Sequence, residues 1–422
     1  MSALPWHLLP DHAAVSGDGH LTIAGCDVLD LAAEFGTPLF VYDEEHLRAR
    51  CREAVAAFGD GATYATKAFL CLAMARLAHE EGMRLDVATE GEALVALHAG
   101  VPADRLVVHG NNKSVGELEL ALDRRVGRVV VDGFDEMDRI EHLVAAGRPA
   151  PAVFLRVAPG VDAHTHEYVA TGQDDSKFGF TVANGDAARA VERALASPGF
   201  EVRGLHSHIG SQVYRVESFA EALQTVAGFA APFGLPELSI GGGLGVAYVE
   251  GESAPTITEW AATLRTAAAG LGLDSMLWAE PGRAIVAAAA VTLYTVGSIK
   301  DIPGVRTYVA VDGGMSDNPR PIIYGSGYET FLPRAVAAER PRGIRLVGKH
   351  CESGDVLVRD GAVPNDLEVG DILATPVTGA YGHSMGSNYN KMARPAVVFV
   401  RNGDARLVVR RESFDDLVRN DL

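Results

Sequence analysis

The spacing of apolar positions divides the chain into two textures. From residue 62 to residue 280, strand-like apolar and β-branched runs recur at Ala62–Thr66, Arg84–Ala88, Arg105–His109, Arg128–Asp132, Ala152–Val157, Val202–Ser207, Glu237–Gly241 and Met276–Glu280. Between most of them, apolar residues fall three and four apart, as on amphipathic helices, over Glu92–Ala99, Val115–Asp123, Ala187–Ala196, Ser218–Ala230 and Thr258–Ala269. Asp135 and Thr256 stand where helix N-caps are expected. Strands alternating with helices predict a parallel sheet, and eight such strands predict an α/β fold closed into a (β/α)8 TIM barrel. A doubly wound open sheet is the alternative. No Gly-x-Gly-x-x-Gly follows the first strand, and Gly241-Gly-Gly-Leu-Gly-Val has no glycine at the third required position.

From about Val291 the pattern turns to alternating β-rich runs at Thr307–Asp312, Arg345–Val347, Asp355–Val358, Ala396–Val400 and Arg406–Val409. Turn signals such as Arg401-Asn-Gly-Asp and Asp360-Gly separate them. This predicts a mainly antiparallel C-terminal β domain. Two N-terminal strands, near Leu21-Thr-Ile and Pro38-Leu-Phe-Val-Tyr, are expected to add to it. The expected domains are therefore 1–45, packing on the β domain, 46–290, the barrel, and 291–422, the β domain itself.

Composition narrows the function classes. A chain of 422 residues with 48% hydrophobic content has enough apolar material for two cores. A formal net charge of −18 argues against nucleic acid and anionic membrane as partners, while leaving room for a local basic pocket that takes a small anion. The cysteines Cys26, Cys51, Cys71 and Cys351 are widely spaced, with no Cys-x-x-Cys, which suits thiols in a reducing cytosol. Met1-Ser-Ala-Leu-Pro-Trp lacks the basic-then-apolar order of a leader, and the most apolar stretch, Ala284 to Val296, is too short to span a bilayer. A cytoplasmic location is expected.

Active sites of such barrels sit at the carboxyl ends of the strands. The first strand ends in Tyr64-Ala-Thr-Lys67-Ala-Phe. A lysine at the end of an apolar strand either packs its stem and sends its head to water, or stays desolvated and forms a Schiff base with a carbonyl. The sixth strand ends in His206-Ser-His208-Ile-Gly-Ser211, the seventh in Gly241-Gly242-Gly243 and the eighth in Glu280-Pro-Gly282-Arg283. His206 and His208, two apart on a strand, share one face and would suit a metal. No carboxylate or thiol near them in sequence completes such a site, so no metal is expected. The three glycines read as a simple turn, or as bare backbone N–H groups that an anion can approach. Glu280 and Arg283 read as a structural ion pair. With Lys67 they also suit a phosphorylated aromatic aldehyde, with a lysine for the carbonyl, glycines and Arg283 for the phosphate, and a carboxylate for the ring nitrogen. Pyridoxal 5'-phosphate is such a molecule.

These segments resemble the fold-type III pyridoxal-phosphate decarboxylases, which share an alanine racemase-like fold. The resemblance rests on Tyr64-Ala-Thr-Lys67-Ala, His208-Ile-Gly-Ser211-Gln, Gly241-Gly-Gly-Leu-Gly and Glu280-Pro-Gly-Arg283. Longer motifs resemble the branch of that family acting on meso-2,6-diaminopimelate. They are His109-Gly-Asn-Asn-Lys113-Ser, Val311-Asp-Gly-Gly-Met-Ser-Asp-Asn-Pro-Arg320-Pro, Tyr324-Gly-Ser-Gly-Tyr328-Glu, Cys351-Glu352-Ser-Gly-Asp and Gly379-Ala-Tyr381. The resemblance runs from about residue 35 to the C-terminus. It implies that Lys67 holds the cofactor as a Schiff base and that His208 stacks on its ring. Ser211, Gly241–Gly243 and the adjoining turn with Gly282 and Arg283 would bind its phosphate. Glu280 would hold the ring-nitrogen proton, which favours decarboxylation over racemisation because a protonated ring is the better electron sink. Arg283, Arg320 and Tyr324 would engage substrate carboxylates, Glu352 would face the distal amino end, and Tyr381 would lie between cofactor and substrate. Cys351 would be the acid that reprotonates the product and would reach the partner subunit's site, so a homodimer sharing its active sites is implied.

The implied reaction is decarboxylation of meso-2,6-diaminopimelate to L-lysine and CO2. Two arginines and a tyrosine suit a dicarboxylate. Phe69, where an asparagine is commoner, and His383, where a cysteine or aromatic is commoner, depart from the family pattern, as does Thr89-Glu-Gly-Glu92. Phe69 and His383 motivate an alternative substrate through a reshaped pocket rim. A non-catalytic homologue is the further alternative, but it would be expected to lack Lys67 or Cys351.

Overall fold

The computed structural model describes residues 5–160 and 175–422. Residues 1–4, the start of the segment read above as carrying no leader, lie outside that range. The chain forms two compact units: Arg50–Gly245 with Ala254–Ala284, and Met1–Ala49 with Val246–Ser253 and Ile285–Leu422.

The first unit is the barrel. Its strands are Thr63–Ala65, Arg84–Val87, Leu106–Val108, Arg128–Val131, Ala152–Ala158, Glu201–His206, Glu237–Ser239 and Met276–Trp278. They pair in that order, every pair parallel. A parallel bridge from Ala62 to Ala279 joins the first strand to the last, and the Thr63 amide donates to the Ala279 carbonyl at 2.9 Å. That closure decides for a barrel over an open sheet. Helices Leu72–Glu80, Glu90–His98, Val115–Arg124, Phe134–Ala145, Asp186–Ala196, Val216–Ala230 and Ile257–Gly270 separate successive strands. Thr256 caps the last of these in a reciprocal box with Glu259, as its position predicts. Asp135 does not cap its helix. Gly133 occupies the N-cap position, and Asp135 lies in the first turn, where a carboxylate faces the positive end of the helix dipole.

Side chains close the amino-terminal end of the barrel. Val107, Val130, Phe154 and Trp278 pack as one cluster, with Phe154 and Trp278 edge to face at 5.1 Å. Arg128 lies over the Trp278 ring at 5.2 Å and grips Glu237 through two hydrogen bonds of 2.9 and 2.6 Å. Aromatic and ionic partners thus fill the end of the barrel opposite the strand carboxyl ends, which leaves polar chemistry to the other rim.

The second unit is built on a mixed, mainly antiparallel sheet in the order Val356–Val363, Arg342–Val347, Arg306–Val311, Ala290–Ile302, Leu39–Asp43, Ala396–Arg401, Asp404–Val409. Ile372–Pro376 pairs beside Ala290–Ile302. Two of its pairings are parallel, Arg306–Val311 with Arg342–Val347 and Leu39–Asp43 with Ala396–Arg401. Of the expected N-terminal strands, only Leu39–Asp43 enters this sheet. Leu21–Ile23 belongs to a separate three-stranded sheet with Ala13–Val15 and Cys26–Asp27. Asn402 and Gly403, both with positive φ, make the two-residue hairpin that Asn-Gly predicts. Asp360-Gly is not a turn but lies inside Val356–Val363. Sequence reading passed over the 13-residue strand Ala290–Ile302. Its first half is sandwiched between Leu39–Asp43 and Ile372–Pro376, and Ala290–Tyr294 are all buried, so they show no alternation to read. No helix among the described residues is long and apolar enough to cross a membrane.

Candidate active site

The carboxyl-end rim of the barrel carries a ring of buried polar residues. Asp86, His109, Asp132, Arg156, His206, Ser239 and Glu280 lie within two residues of the carboxyl ends of strands two to eight, and all are buried. Lys67 follows the first strand, on the single turn Thr66–Ala68 rather than on the strand itself, and its side chain is exposed between buried neighbours. The expectation of a desolvated lysine therefore does not describe it; its place on the rim does.

Glu280 is the best-held group of the ring, only 5% exposed. Ser239 Oγ donates to Glu280 Oε1 at 2.9 Å, and His206 Nε2 lies 3.0 Å from Glu280 Oε2. His109 Nε2 stands 3.6 Å from Glu280 Oε1 and 3.7 Å from Asp86 Oδ1, at ion-pair rather than hydrogen-bond range. Burial opposes the charged carboxylate. His206 and His109 outweigh it and hold Glu280 well below the usual carboxylate range. Burial also pushes the His109 imidazole down, but Asp86 and Glu280 carry it above its ordinary value. His206 is shifted down, chiefly by burial. The arrangement is a carboxylate between two buried imidazoles whose pKa values are driven apart, His109 upward and His206 downward.

His208 lies beyond the sixth strand. Its Nδ1 accepts the Gly242 amide at 3.2 Å, and burial, with Lys67 next, holds it well below its usual pKa as a neutral ring. The two histidines take different partners, Glu280 for His206 and the Gly242 amide for His208. His206 joins His109 and Glu280, whose ligand atoms lie within 4.8 Å of one another. That cluster is a carboxylate clamp, with His206 and Ser239 in hydrogen-bond contact with Glu280 and His109 at ion-pair range.

The Gly241–Gly243 turn shows why it is glycine. A Cβ at Gly241 would meet the Ser207 carbonyl oxygen, at Gly242 that of Glu280, and at Gly243 that of Gly210. Gly241 and Gly243 also have φ of +67° and +112°. The Gly241 amide donates to Ser239 Oγ at 3.2 Å, so one hydroxyl ties the turn to Glu280. Gly282 packs on Ala65, where a Cβ would meet the Ala65 carbonyl oxygen at 2.9 Å. The buried Arg283 guanidinium donates to Ser211 Oγ at 2.7 Å. Bare turns, a hydroxyl and a guanidinium on one rim suit a phosphate, and a buried ionised carboxylate suits a protonated pyridine. The residues present therefore fit the cofactor inferred from sequence.

The second unit holds the other anticipated residues. Arg320 is 3% exposed. It donates to the Tyr248 hydroxyl at 2.7 Å and to Ser326 Oγ at 2.9 Å, and lies over the Tyr248 and Tyr381 rings at 4.7 and 5.9 Å. Its Nε is buried with no partner among the described residues. Tyr324, four residues on, closes the same short helix Arg320–Tyr324 and is half-buried. Tyr381 takes a φ of +59°, a conformation that costs a non-glycine residue about 1–3 kcal/mol. Cys351 and Glu352 are exposed, and the Tyr389 hydroxyl donates to Glu352. Cys26, Cys51 and Cys71 are buried.

Phe69 and His383 turn out to be packing residues. Phe69 is fully buried in the barrel unit, with its carbonyl accepting the Tyr64 hydroxyl at 2.7 Å. His383 sits edge-on to Phe40 at 5.8 Å under Arg394, and burial pushes its pKa down to about 3. Sequence reasoning missed His350, whose Nε2 and Nδ1 lie 2.8 and 2.9 Å from Ser316 Oγ and Asn390 Oδ1, pinning the start of the Cys351–Glu352 turn. It also missed Asp86, Tyr248, and any role for His109 beyond its motif. The strand-end rule that located Lys67 and Glu280 would have flagged Asp86 and His109.

Residues 44–287 match the family described as "Pyridoxal-dependent decarboxylase, pyridoxal binding domain". On a closed parallel barrel, that match sets the class as a barrel-type pyridoxal-dependent decarboxylase. The diaminopimelate decarboxylase of Mycobacterium tuberculosis is 47% identical, covering 95% of this chain and 94% of its own length. That of Bacillus subtilis is 45% identical, covering 96% and 95%. The crystal structure of diaminopimelate decarboxylase from M. jannaschii in complex with L-lysine superposes with a TM-score of 0.90 at 32% identity, covering 98% of each chain. The chain belongs to the diaminopimelate decarboxylase family.

Proposed function

We propose that this protein decarboxylates meso-2,6-diaminopimelate to L-lysine and CO2 with pyridoxal 5'-phosphate bound at the barrel rim. The observation that carries the proposal is Glu280, buried at the end of the eighth strand and held ionised by Ser239, His206 and His109. When bound, the cofactor supplies a protonated pyridine ring that takes up the electron pair left as CO2 departs. Glu280 keeps that ring nitrogen protonated. Lys67 is the amine that holds the cofactor carbonyl carbon. The neutral His208 ring covers one face of the site. Ser211, Gly241–Gly243, Gly282 and Arg283 bind the phosphate.

Arg320, with Tyr324 and Arg283, receives substrate carboxylates, and the buried unused Nε–H of Arg320 supports that role. Glu352 meets the distal ammonium, Tyr381 orients the reacting end, and Cys351 supplies the proton that replaces CO2. The exposure of Cys351 and Glu352 supports their presentation to a second copy of the chain, in a cytoplasmic homodimer. Purified protein with added cofactor should release CO2 from meso-2,6-diaminopimelate and yield L-lysine. Release from another amino acid in a panel, with none from this one, would overturn the substrate. Borohydride should fix the cofactor on Lys67. The same adduct surviving in Lys67→Ala would overturn that assignment.

A further inference from the structure

Two buried imidazoles stand against Glu280, and the reaction as proposed uses them only for its charge, not for its orientation. His206 is 1% exposed and His109 is also buried. Their rings meet edge to face at 5.0 Å. His206 contacts the carboxylate directly, with Nε2 3.0 Å from Glu280 Oε2, while Ser239 serves the other oxygen at 2.9 Å. His206 Nδ1 is buried and has no hydrogen-bond partner among the described residues.

That unused nitrogen fixes the tautomer. A proton on Nδ1 would bury an N–H with nothing to accept it, whereas a bare lone pair there is far less costly. The one proton of the neutral ring therefore sits on Nε2 and points at Glu280. The protonated ring would again place an N–H at Nδ1, so His206 stays neutral and donates without competing for the carboxylate's charge. The imidazole favoured toward its cationic form is His109, which faces Asp86 and Glu280 together. Arg156, paired with Asp132, supplies the next cation on the rim.

We propose that His206 is a positioning residue which, as its neutral Nε2–H tautomer, aims the ionised Glu280 at the ring nitrogen of the cofactor. Its donation to Oε2, with the Ser239 hydroxyl on Oε1, fixes the plane of the carboxylate. The proposal rests on the proposed role of Glu280.

The test loads the full chain with pyridoxal phosphate carrying nitrogen-15 in its ring and reads that nitrogen's chemical shift, which separates protonated from unprotonated pyridine. Wild type should show the protonated form. His206→Phe keeps the ring shape and removes the donor. It should shift the ring nitrogen toward the unprotonated form and lower kcat about tenfold to a hundredfold, with KM changed less than about threefold. His206→Gln restores an N–H donor and should recover the protonated shift and most of kcat. Should His206→Phe not fold, His206→Met, flexible and without a donor, takes its place. A protonated ring nitrogen in the donor-free variant would overturn the proposal, as would a Gln variant as impaired as the Phe variant. An unprotonated ring nitrogen in wild type would instead overturn the reading of Glu280.

Discussion

Arg320→Lys tests the substrate end of the site. In wild type, the guanidinium already spends two N–H groups on Tyr248 and Ser326, at 2.7 and 2.9 Å, and its plane lies over the Tyr248 ring. Burial works against the cation, but the surrounding tyrosines raise its pKa, so it is charged wherever the protein is folded. The buried Nε–H is left over, and a carboxylate is the acceptor that suits a guanidinium edge. Lysine at this position keeps the charge and one hydrogen bond. It loses the fork and the stack. A charge-assisted hydrogen bond is worth about 1.5–3 kcal/mol, so losing the second bond to the carboxylate should raise KM roughly tenfold to a hundredfold.

The binding is expected to be uniform between ground and transition states, because Arg320 meets a carboxylate that does not itself react. kcat should therefore stay within about threefold. The assay is the initial rate of CO2 release against meso-2,6-diaminopimelate concentration, with cofactor occupancy read by absorbance in the same sample. A KM within twofold of wild type at full occupancy would refute the carboxylate role, and a fall confined to occupancy would move Arg320 to the cofactor.

Three other perturbations reach different parts of the molecule. Arg128→Ala leaves Glu237, 9% exposed, without its bidentate partner and removes one cation from Trp278, leaving Arg84 over the ring; it should cost about 3–5 kcal/mol in urea denaturation, while the folded enzyme stays active because this end of the barrel is away from the strand carboxyl ends. Burial raises the Asp317 pKa to about 7, above its unfolded value, so the folded state binds the extra proton: this contribution is full below the unfolded pKa and lost as pH rises through about 7. Asp317→Asn should accordingly be more stable than wild type at alkaline pH, with the advantage vanishing under acid conditions, in urea melts across that window. His350→Phe removes the bonds to Ser316 and Asn390 and should speed alkylation of Cys351, the one exposed cysteine among the described residues, while an unchanged rate would show that the turn is held instead by Asp355, which accepts the residue-350 amide at 2.9 Å, and by Tyr389.

The barrel was legible because each of its strands is a short apolar run bounded by a helix with its own periodicity. The β unit was less so, and Ala290–Ile302 shows why. Where a strand is paired on both edges and covered on both faces, alternation disappears, and a continuous apolar run can be read equally as a buried helix. Asp360-Gly shows the converse: a local turn signal was overridden by pairing of Val356–Val363 with Arg342–Val347, whose register shifts between Ile344 and Leu346, beside Gly361. Phe69 and His383 stood out in sequence as departures near functional motifs. The structure shows each as a core residue of its own unit, which is the commoner reason for an apolar or neutral ring at such a place.

Lys67 and Glu280 separate two kinds of legibility. Position on the rim follows from chain order alone, because every residue just past a barrel strand faces the same end. That is why both were found. Protonation state does not follow from chain order. The apolar neighbours of Lys67 suggested desolvation, yet its side chain is exposed: the strand stops at Ala65, and the lysine sits on the single turn that follows, near enough to act on the buried His208. Glu280 carried no sign of its environment in Glu-Pro-Gly-Arg. Its charge is decided by His109, His206 and Ser239, delivered by the third, sixth and seventh strands. An electron sink needs that carboxylate ionised in a buried place, which no single segment can ensure. Closing the barrel brings the three groups to one point, so the closure bridge from Ala62 to Ala279, next to Glu280, is as much a part of the chemistry as the residues it assembles.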